Sequence, residues 1–127
     1  MTARILIVED HPTMREAMRL VLEGEGFDID EASDGEQALA AVQDERPDLV
    51  LLDMSIPVVP GPDVLAAVKG DPATSDVRVI VVTATGEEGR AAAMAGGADH
   101  YFTKPFSPIA LLQAVEEVLG SEGSGSD

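Results

Sequence analysis

The sequence predicts an α/β fold, a doubly wound, five-stranded parallel sheet with helices on both faces. Three observations support this prediction. Short apolar runs alternate five times with segments of helical periodicity, and the links between them are short. Most of the runs are continuous stretches of β-branched and aliphatic residues, as is typical of strands buried on both faces. Strand–helix units joined by short links form parallel sheets that helices cover.

Five strands are predicted, and three of them contain a run of four consecutive aliphatic residues. The second run differs, because Phe27-Asp28-Ile29-Asp30 alternates between apolar and acidic residues, which indicates an edge strand. The predicted strands are Arg4–Val8, Phe27–Ala32, Asp48–Leu52, Arg78–Val82 and Asp99–Phe102.

Five helices are predicted from start and stop signals, with proline or a capping box at the beginning and glycine or proline at the end. In chain order the signals are Pro12 with Gly24 and Gly26, a Ser33–Glu36 capping box with Pro47, Gly61-Pro62 with Gly70 and Pro72, Gly86 with Gly96-Gly97, and Ser107-Pro108. The apolar stripe expected on the fifth helix consists of Leu111, Leu112, Val115, Val118 and Leu119.

The composition indicates one compact and strongly acidic domain. The 127 residues include 24 acidic and 8 basic side chains, so the net charge is −16, and 45% of the residues are hydrophobic, enough to build a core. An acidic surface repels phosphate backbones and anionic lipids, so we expect no nucleic-acid partner and no membrane partner. Cysteine is absent, which excludes disulfides and thiolate metal sites, and we expect a cytoplasmic protein.

The chain is expected to divide into a domain over residues 1–119 and a flexible Gly/Ser-rich tail over residues 120–127. Such a tail is typical of a free end or of the stub of a linker. Both a stand-alone domain and part of a longer protein therefore stay open.

Chemically active side chains follow four of the five predicted strands. In an open parallel sheet, ligands bind in the crevice beyond the carboxyl ends of the strands. The second strand has no comparable group before Asp34, which fits a spatial order 2-1-3-4-5 with the crevice between strands one and three. In chain order the active side chains are Glu9 and Asp10, then Asp53, Thr83 and Lys104.

Three carboxylates in one crevice repel one another and need cations nearby. Mg²⁺ binds one or two carboxylates together with waters and a phosphate oxygen, a set that Glu9, Asp10 and Asp53 can supply. A carboxylate can also act as a nucleophile and form an acyl phosphate. Lys104 would then neutralise phosphoryl charge, and the Thr83 hydroxyl would bind a further phosphoryl oxygen.

This ordered set of residues resembles the receiver domain of two-component response regulators, a flavodoxin-like and chemotaxis-regulator-like fold, over about residues 4–119. The resemblance depends on the whole set, because any single member is a common surface or strand-end residue. Its elements are the pair Glu9-Asp10, Asp53 followed by Pro57 and Gly61, Thr83-Ala84, and Lys104-Pro105-Phe106.

The resemblance implies that Asp53 accepts a phosphoryl group from a histidine kinase or a histidine phosphotransfer protein. The chain would be a phosphoacceptor signalling domain that catalyses only its own phosphoryl transfer and hydrolysis, and not an enzyme in the usual sense. By the same resemblance, Mg²⁺ would lie on Glu9, Asp10, Asp53 and the backbone carbonyl of Ser55.

The resemblance also implies a switch. Thr83 would move toward the phosphoryl oxygens, Tyr101 would rotate, and Lys104 would pair with the phosphoryl group and precede a cis peptide bond to Pro105. The face made of the fourth helix, fifth strand and fifth helix would then bind a downstream protein target. The chain would be a monomer or a phosphorylation-dependent dimer.

Two other functions compete with this interpretation. A haloacid-dehalogenase-type phosphatase also uses an aspartate nucleophile with Mg²⁺, but its Asp-x-Asp signature follows the first strand, whereas Asp53-Met54-Ser55 follows the third. A flavodoxin-like flavin binder needs a phosphate-cradling first loop, which Glu9-Asp10 would repel.

Two local features depart from the expected pattern or stay unassigned. Val58-Val59-Pro60 makes an unusually apolar and stiff loop beside the site. Neither His11 nor His100 is spaced with partners as a metal ligand, so the sequence assigns neither of them a role.

Overall fold

A computed structural model describes residues 2–83, 87–104 and 106–123 of the chain. Five strands alternate with five helices along these residues, as the sequence predicts. The elements are β1 (Arg4–Val8), α1 (Pro12–Glu23), β2 (Asp28–Ala32), α2 (Gly35–Glu45), β3 (Leu49–Asp53), α3 (Gly61–Gly70), β4 (Arg78–Thr83), α4 (Glu87–Ala95), β5 (His100–Thr103) and α5 (Pro108–Gly123).

The five strands form one parallel sheet in the order β2-β1-β3-β4-β5, so the predicted fold class and strand order are confirmed. Strand β2 lies at an edge of the sheet, as its alternating sequence indicates. The chain reverses its direction of winding between β1 and β3. In this class of sheet, the crevice beyond the carboxyl ends of those two strands is the usual place for a ligand.

Two apolar layers hold the helices against the sheet, and alternate residues of each central strand supply them. In β1, Leu6 and Val8 face one layer, whereas Ile5 and Ile7 face the other. The first layer contains buried residues of α2, α3 and α4, and the second contains buried residues of α1 and α5. The sheet is therefore covered on both faces, which explains why its central strands are continuous apolar runs.

The start of α2 differs from the prediction by one residue. Asp34, not Ser33, caps the helix, because its side chain accepts a hydrogen bond of 2.8 Å from the backbone N–H of Gln37. Gln37, not Glu36, completes the motif, and its Oε1 accepts a bond of 3.0 Å from the backbone N–H of Ser33. The expected Ser33–Glu36 capping box is wrong, because Asp34 is the residue with extended backbone (φ −150°) directly before the first helical residue.

Helix α5 continues to Gly123, beyond the apolar stripe that ends at Leu119. Residues 124–127 lie outside the described part of the chain, so the division into a domain and a flexible tail stays a prediction. The predicted first residue of the fourth helix, Gly86, also lies outside it, and α4 is described from Glu87. In the described part of the chain, every helix is too short or too polar to span a membrane.

The loop between β3 and α3 packs its backbone tightly against neighbouring segments. The carbonyl oxygen of Pro57 accepts hydrogen bonds from the backbone N–H groups of Gly35 (3.1 Å) and Val59 (2.9 Å). Val58, between Pro57 and Val59, has a φ of 74° and is 68% exposed, an unusual conformation for a β-branched residue. A Cβ atom added to Gly61 would lie 2.5 Å from the Cα of Met54. This contact fixes the backbone that directly follows Asp53.

We expect Gly61→Ala to lower the free energy of unfolding by about 1–3 kcal/mol, because the added methyl group meets backbone that must shift. Gly70→Ala is the matched control, since in the described structure an added Cβ at this helical glycine meets nothing within 4 Å. Urea denaturation of both variants measures the difference. Equal stability of the two variants would contradict the tight packing at Gly61.

Candidate phosphoacceptor and metal site

Four residues that the sequence singled out lie at the carboxyl edge of the sheet. Asp53 and Thr83 end β3 and β4, while Glu9 and Lys104 directly follow β1 and β5. Backbone hydrogen bonds continue past the strand ends, from the N–H of Glu9 to Ala32 O (3.0 Å) and from the N–H of Lys104 to Thr83 O (2.8 Å). The backbone positions of these side chains are therefore set by the sheet.

Lys104 bridges two buried carboxylates. Its Nζ atom lies 2.9 Å from Oδ2 of Asp53 and 3.0 Å from Oε1 of Glu9. Both acids are buried to 1% exposure or less, and the lysine side chain is 18% exposed. The ammonium group thus reaches across β4 and holds the ends of β1, β3 and β5 together.

The second oxygen of Asp53 is held by Ser55. The backbone N–H and the hydroxyl of Ser55 each donate a hydrogen bond of 3.0 Å to Oδ1 of Asp53. The resemblance assigned Ser55 only through its backbone carbonyl, as a metal contact, and that role stays a prediction. Its hydroxyl contact was not anticipated, although a serine two residues after a strand-end aspartate is a known local hydrogen-bonding pattern.

The contacts set the charge of Asp53. Burial alone would raise the pKa of Asp53, but the hydrogen bond from the Ser55 N–H and the bond and charge of Lys104 outweigh it and lower that pKa. Burial likewise opposes the charge of Lys104, but its bonds to Asp53 and Glu9 raise the pKa of the ammonium group. At neutral pH, Asp53 is therefore an anion beside a protonated lysine.

Asp10 and His11 extend the cluster on the side away from Lys104. In the described part of the chain, Oδ1 of Asp10 is buried and makes no hydrogen bond. Nδ1 of His11 lies 3.0 Å from Oε2 of Glu9 and 3.3 Å from Oδ1 of Asp10. The hydrogen bond with Glu9 and the nearby charges of Asp10 and Glu9 raise the pKa of His11.

His11 was assigned no role from the sequence, because it is not spaced with partners as a metal ligand. It does, however, directly follow the acidic pair Glu9-Asp10. That adjacency was the available signal, because the loop after β1 turns the His11 side chain back toward the carboxylates that precede it.

The arrangement fits a hard divalent cation. Glu9, Asp10, His11 and Asp53 each offer a ligand atom, and these atoms lie within 4.8 Å of one another. Lys104 bonds to two of the three carboxylates, and among the described residues Oδ1 of Asp10 is buried and makes no hydrogen bond. Carboxylate oxygens in this number suit Mg²⁺, with positions left for water and a phosphoryl oxygen.

The two expected switch residues lie on β4 and β5. Thr83 is 5% exposed at the end of β4, and Tyr101 is half-buried in β5, where it pairs with Val81. Their movements stay predictions. Ala84 and Pro105 lie outside the described residues, and so does the expected cis peptide bond between Lys104 and Pro105.

Comparison with known proteins adds an independent line of support. The sequence matches the family model of the response regulator receiver domain over residues 5–116. It is 40% identical over 122 residues to the phosphate regulon transcriptional regulatory protein PhoB of Pseudomonas aeruginosa, and 43% identical over 120 residues to the DNA-binding response regulator MtrA of Mycolicibacterium smegmatis. These matches cover 95% and 94% of this chain but only 53% and 51% of those proteins, so the chain spans about half their length.

Solved structures show the same architecture. A CheY-like response regulator receiver domain protein from Methanospirillum hungatei has a TM-score of 0.91 at 28% identity, covering 98% of this chain and 99% of that one. A putative response regulator from Chloroflexus aurantiacus has a TM-score of 0.90 at 31% identity, covering 94% of this chain and 99% of that one.

The bridge made by Lys104 predicts a coupled effect on stability. Lys104→Met leaves two buried carboxylates without their cation, so we expect it to lower the free energy of unfolding by about 3–5 kcal/mol without added divalent ions. In an Asp53→Asn background one of the carboxylates is gone, so the same substitution should cost less, with a coupling energy of about 0.5–3 kcal/mol. Urea denaturation near neutral pH measures all four proteins.

The other lysine provides the control. Lys69 is 17% exposed and donates to Asp99 and to the backbone carbonyl of Val77, and within the described structure it has no hydrogen-bond partner in common with Asp53. Lys69→Met and Asp53→Asn should therefore be additive. Additivity of Lys104→Met with Asp53→Asn would contradict the bridge.

Proposed function

Because the chain belongs to the response regulator receiver domain family, we propose that it is the phosphoacceptor of a two-component or phosphorelay system, with Asp53 as the phosphorylated residue. One observation carries this proposal: Asp53 is a buried, ionised carboxylate held by Lys104 beside the acidic pair Glu9-Asp10. Family membership sets aside the phosphatase and the flavin-binding alternatives.

The proposed reaction is a transfer between two nucleophiles. A carboxylate oxygen of Asp53 forms a bond to phosphorus while the bond from phosphorus to a histidine nitrogen of the donor breaks, and the electron pair of that bond returns to the imidazole. The donor is a histidine kinase or a histidine phosphotransfer protein. Water later attacks the acyl phosphate, which releases inorganic phosphate and restores the carboxylate.

The residues around Asp53 each contribute to this transfer. Lys104, now shared between Asp53 and Glu9, is in place to bond a phosphoryl oxygen, and Ser55 holds Oδ1 of the nucleophile in a fixed orientation. Glu9, Asp10 and Asp53 would hold Mg²⁺, which would neutralise phosphoryl charge when bound. The burial of Glu9 and Asp53 keeps these charges poorly screened by water and therefore effective.

The output of the proposed switch lies on the face made by α4, β5 and α5. Thr83 donates its hydroxyl to a phosphoryl oxygen in the phosphorylated state, and Tyr101 changes its position in response. A cleft of about 320 Å³ on this face is lined by Arg90, Met94, Asp99, His100 and Tyr101, and it would bind the downstream protein target. A cytoplasmic location, and a chain that is a monomer or a phosphorylation-dependent dimer, belong to the same proposal.

Mg²⁺ should stabilise the folded chain, since an ion that binds only the folded state adds about 1.4 kcal/mol at ten times its dissociation constant. We expect the unfolding temperature of the wild type to rise with Mg²⁺ concentration, and Asp10→Asn to lose most of that rise. The control is Asp76→Asn, an exposed acid before β4 at the opposite edge of the sheet. Asp76→Asn should respond like the wild type, and an unchanged response of Asp10→Asn would argue against the site.

Phosphorylation is tested by the intact mass of the protein after incubation with a small phosphodonor. We expect the wild type to gain one phosphoryl group, acid-stable and base-labile, only with Mg²⁺. Asp53→Asn should gain none while keeping its fold, because it lacks the carboxylate nucleophile. Asp76→Asn again serves as the control and should react like the wild type. An adduct on Asp53→Asn equal to that on the wild type would refute the proposed function.

A further inference from the structure

Arg15 of α1 joins the loop that carries Glu9 and Asp10 to the neighbouring strand β2. Its Nη1 atom donates a hydrogen bond of 2.8 Å to the backbone carbonyl oxygen of Glu9. Its Nε atom donates one of 2.7 Å to Oε1 of Glu31, which lies in β2 opposite Ile7 of β1. One guanidinium group therefore connects the loop after β1, the first helix and the edge strand.

The carbonyl that Arg15 holds belongs to the peptide group between Glu9 and Asp10, two of the proposed metal ligands. On the other side of Glu9, its N–H donates a bond of 3.0 Å to Ala32 O of β2. Because a peptide group is planar, its orientation fixes the positions of both flanking Cα atoms. The bond from Arg15 therefore helps to set the direction of the Asp10 side chain, whose Oδ1 is buried and makes no hydrogen bond within the described structure.

Glu31 balances the charge of an arginine that lies beside a cation site. A positive charge there would repel Mg²⁺ and weaken its binding. Burial would raise the pKa of Glu31, but the bonds and charges of Arg15 and Arg19 outweigh it and lower that pKa, so Glu31 is an anion at neutral pH. The side chains of Arg15 and Glu31 are 21% and 26% exposed, so their attraction is only partly screened by water.

We propose that Arg15 is a positioning residue of the metal site, which orients the Asp10 carboxylate for Mg²⁺ by holding the carbonyl of Glu9. Glu31 in turn orients Arg15. The inference rests on the proposed metal site, and it gives Arg15 no contact with the ion or with the phosphoryl group. Loss of the arginine charge alone would tighten Mg²⁺ binding, whereas loss of the positioning bond weakens it, so the two effects differ in sign.

The test is a titration of the full chain with Mg²⁺ alone, followed by nuclear magnetic resonance. Residues that orient metal ligands affect metal affinity by about 10–100-fold, and we expect Arg15→Met to bind Mg²⁺ about tenfold more weakly than the wild type. The Mg²⁺ concentration for half-maximal phosphorylation by a small phosphodonor should rise by the same factor, while the maximal rate stays within about twofold. Without metal, the ¹³C resonance of the Glu9 carbonyl should already shift in this variant.

Arg19 is the matched control, one turn further along α1. It bonds to Glu31 and Glu23, and in the described part of the chain its side chain makes no bond to Glu9. Arg19→Met removes the same charge and should bind Mg²⁺ like the wild type. Glu31→Gln tests the other end of the bridge, and it should weaken Mg²⁺ binding more in the wild type than in Arg15→Met.

Three results would overturn this inference alone. They are unchanged or tighter Mg²⁺ binding by Arg15→Met, an equal loss of binding by Arg19→Met, and a lower maximal rate of Arg15→Met at an unchanged Mg²⁺ dependence. A wild type that binds no Mg²⁺ would instead overturn the proposed metal site.

Discussion

Two carboxylates, Glu9 and Asp53, lie buried at one edge of the sheet, and the ammonium group of Lys104 bonds to both of them. Burial alone would raise the pKa of Asp53, and the bonds from the Ser55 N–H and from Lys104 lower it again. The three residues come from the ends of three different strands. The two contacts of Lys104 therefore balance the charge of the site and also hold the ends of these three strands together.

The sheet makes this interaction possible because parallel strands bring their carboxyl ends to one edge. Ladder bonds continue past the ends of β1 and β5, so the backbones of Glu9 and Lys104 are held like strand residues. The close approach of Gly61 to Met54 fixes the loop that follows Asp53. A cluster with more negative than positive charge is thus held in place by its backbone. Because the carboxylates cannot move apart to relieve their repulsion, the cluster is suited to binding a cation.

Much of this could be predicted from the sequence, because it depends on local patterns. The alternation of short apolar runs with helical segments predicted the five strands, and the alternating Phe27–Asp30 segment identified an edge strand of the sheet. Glu9, Asp53 and Lys104 could be grouped because the order of parallel strands determines which strand ends are close. Three predicted strands ended one residue too early, before Asp53, Thr83 and Thr103, because hydrogen bonding to the neighbouring strand sets these ends and the sequence does not show it.

Other features depend on geometry that a pattern does not contain. Asp34 caps α2, although Ser33 was expected to do so. Both are good capping residues, and only the backbone angle after β2 distinguishes between them. The Ser55 hydroxyl and the His11 imidazole contact carboxylates only two residues away or less. Such contacts depend on how tightly a loop turns. The residue types and their spacing in the sequence do not determine this.

The most direct test of the account is a crystal structure of the chain with Mg²⁺ and beryllium trifluoride, a tetrahedral mimic of the phosphoryl group. The account predicts the mimic on a carboxylate oxygen of Asp53, with Lys104 and Thr83 bonded to its fluorines and the cation held by Glu9, Asp10 and Asp53. A structure in which Lys104 still bridges Glu9 and Asp53, with the mimic absent from Asp53 or bound at another acid, would contradict it.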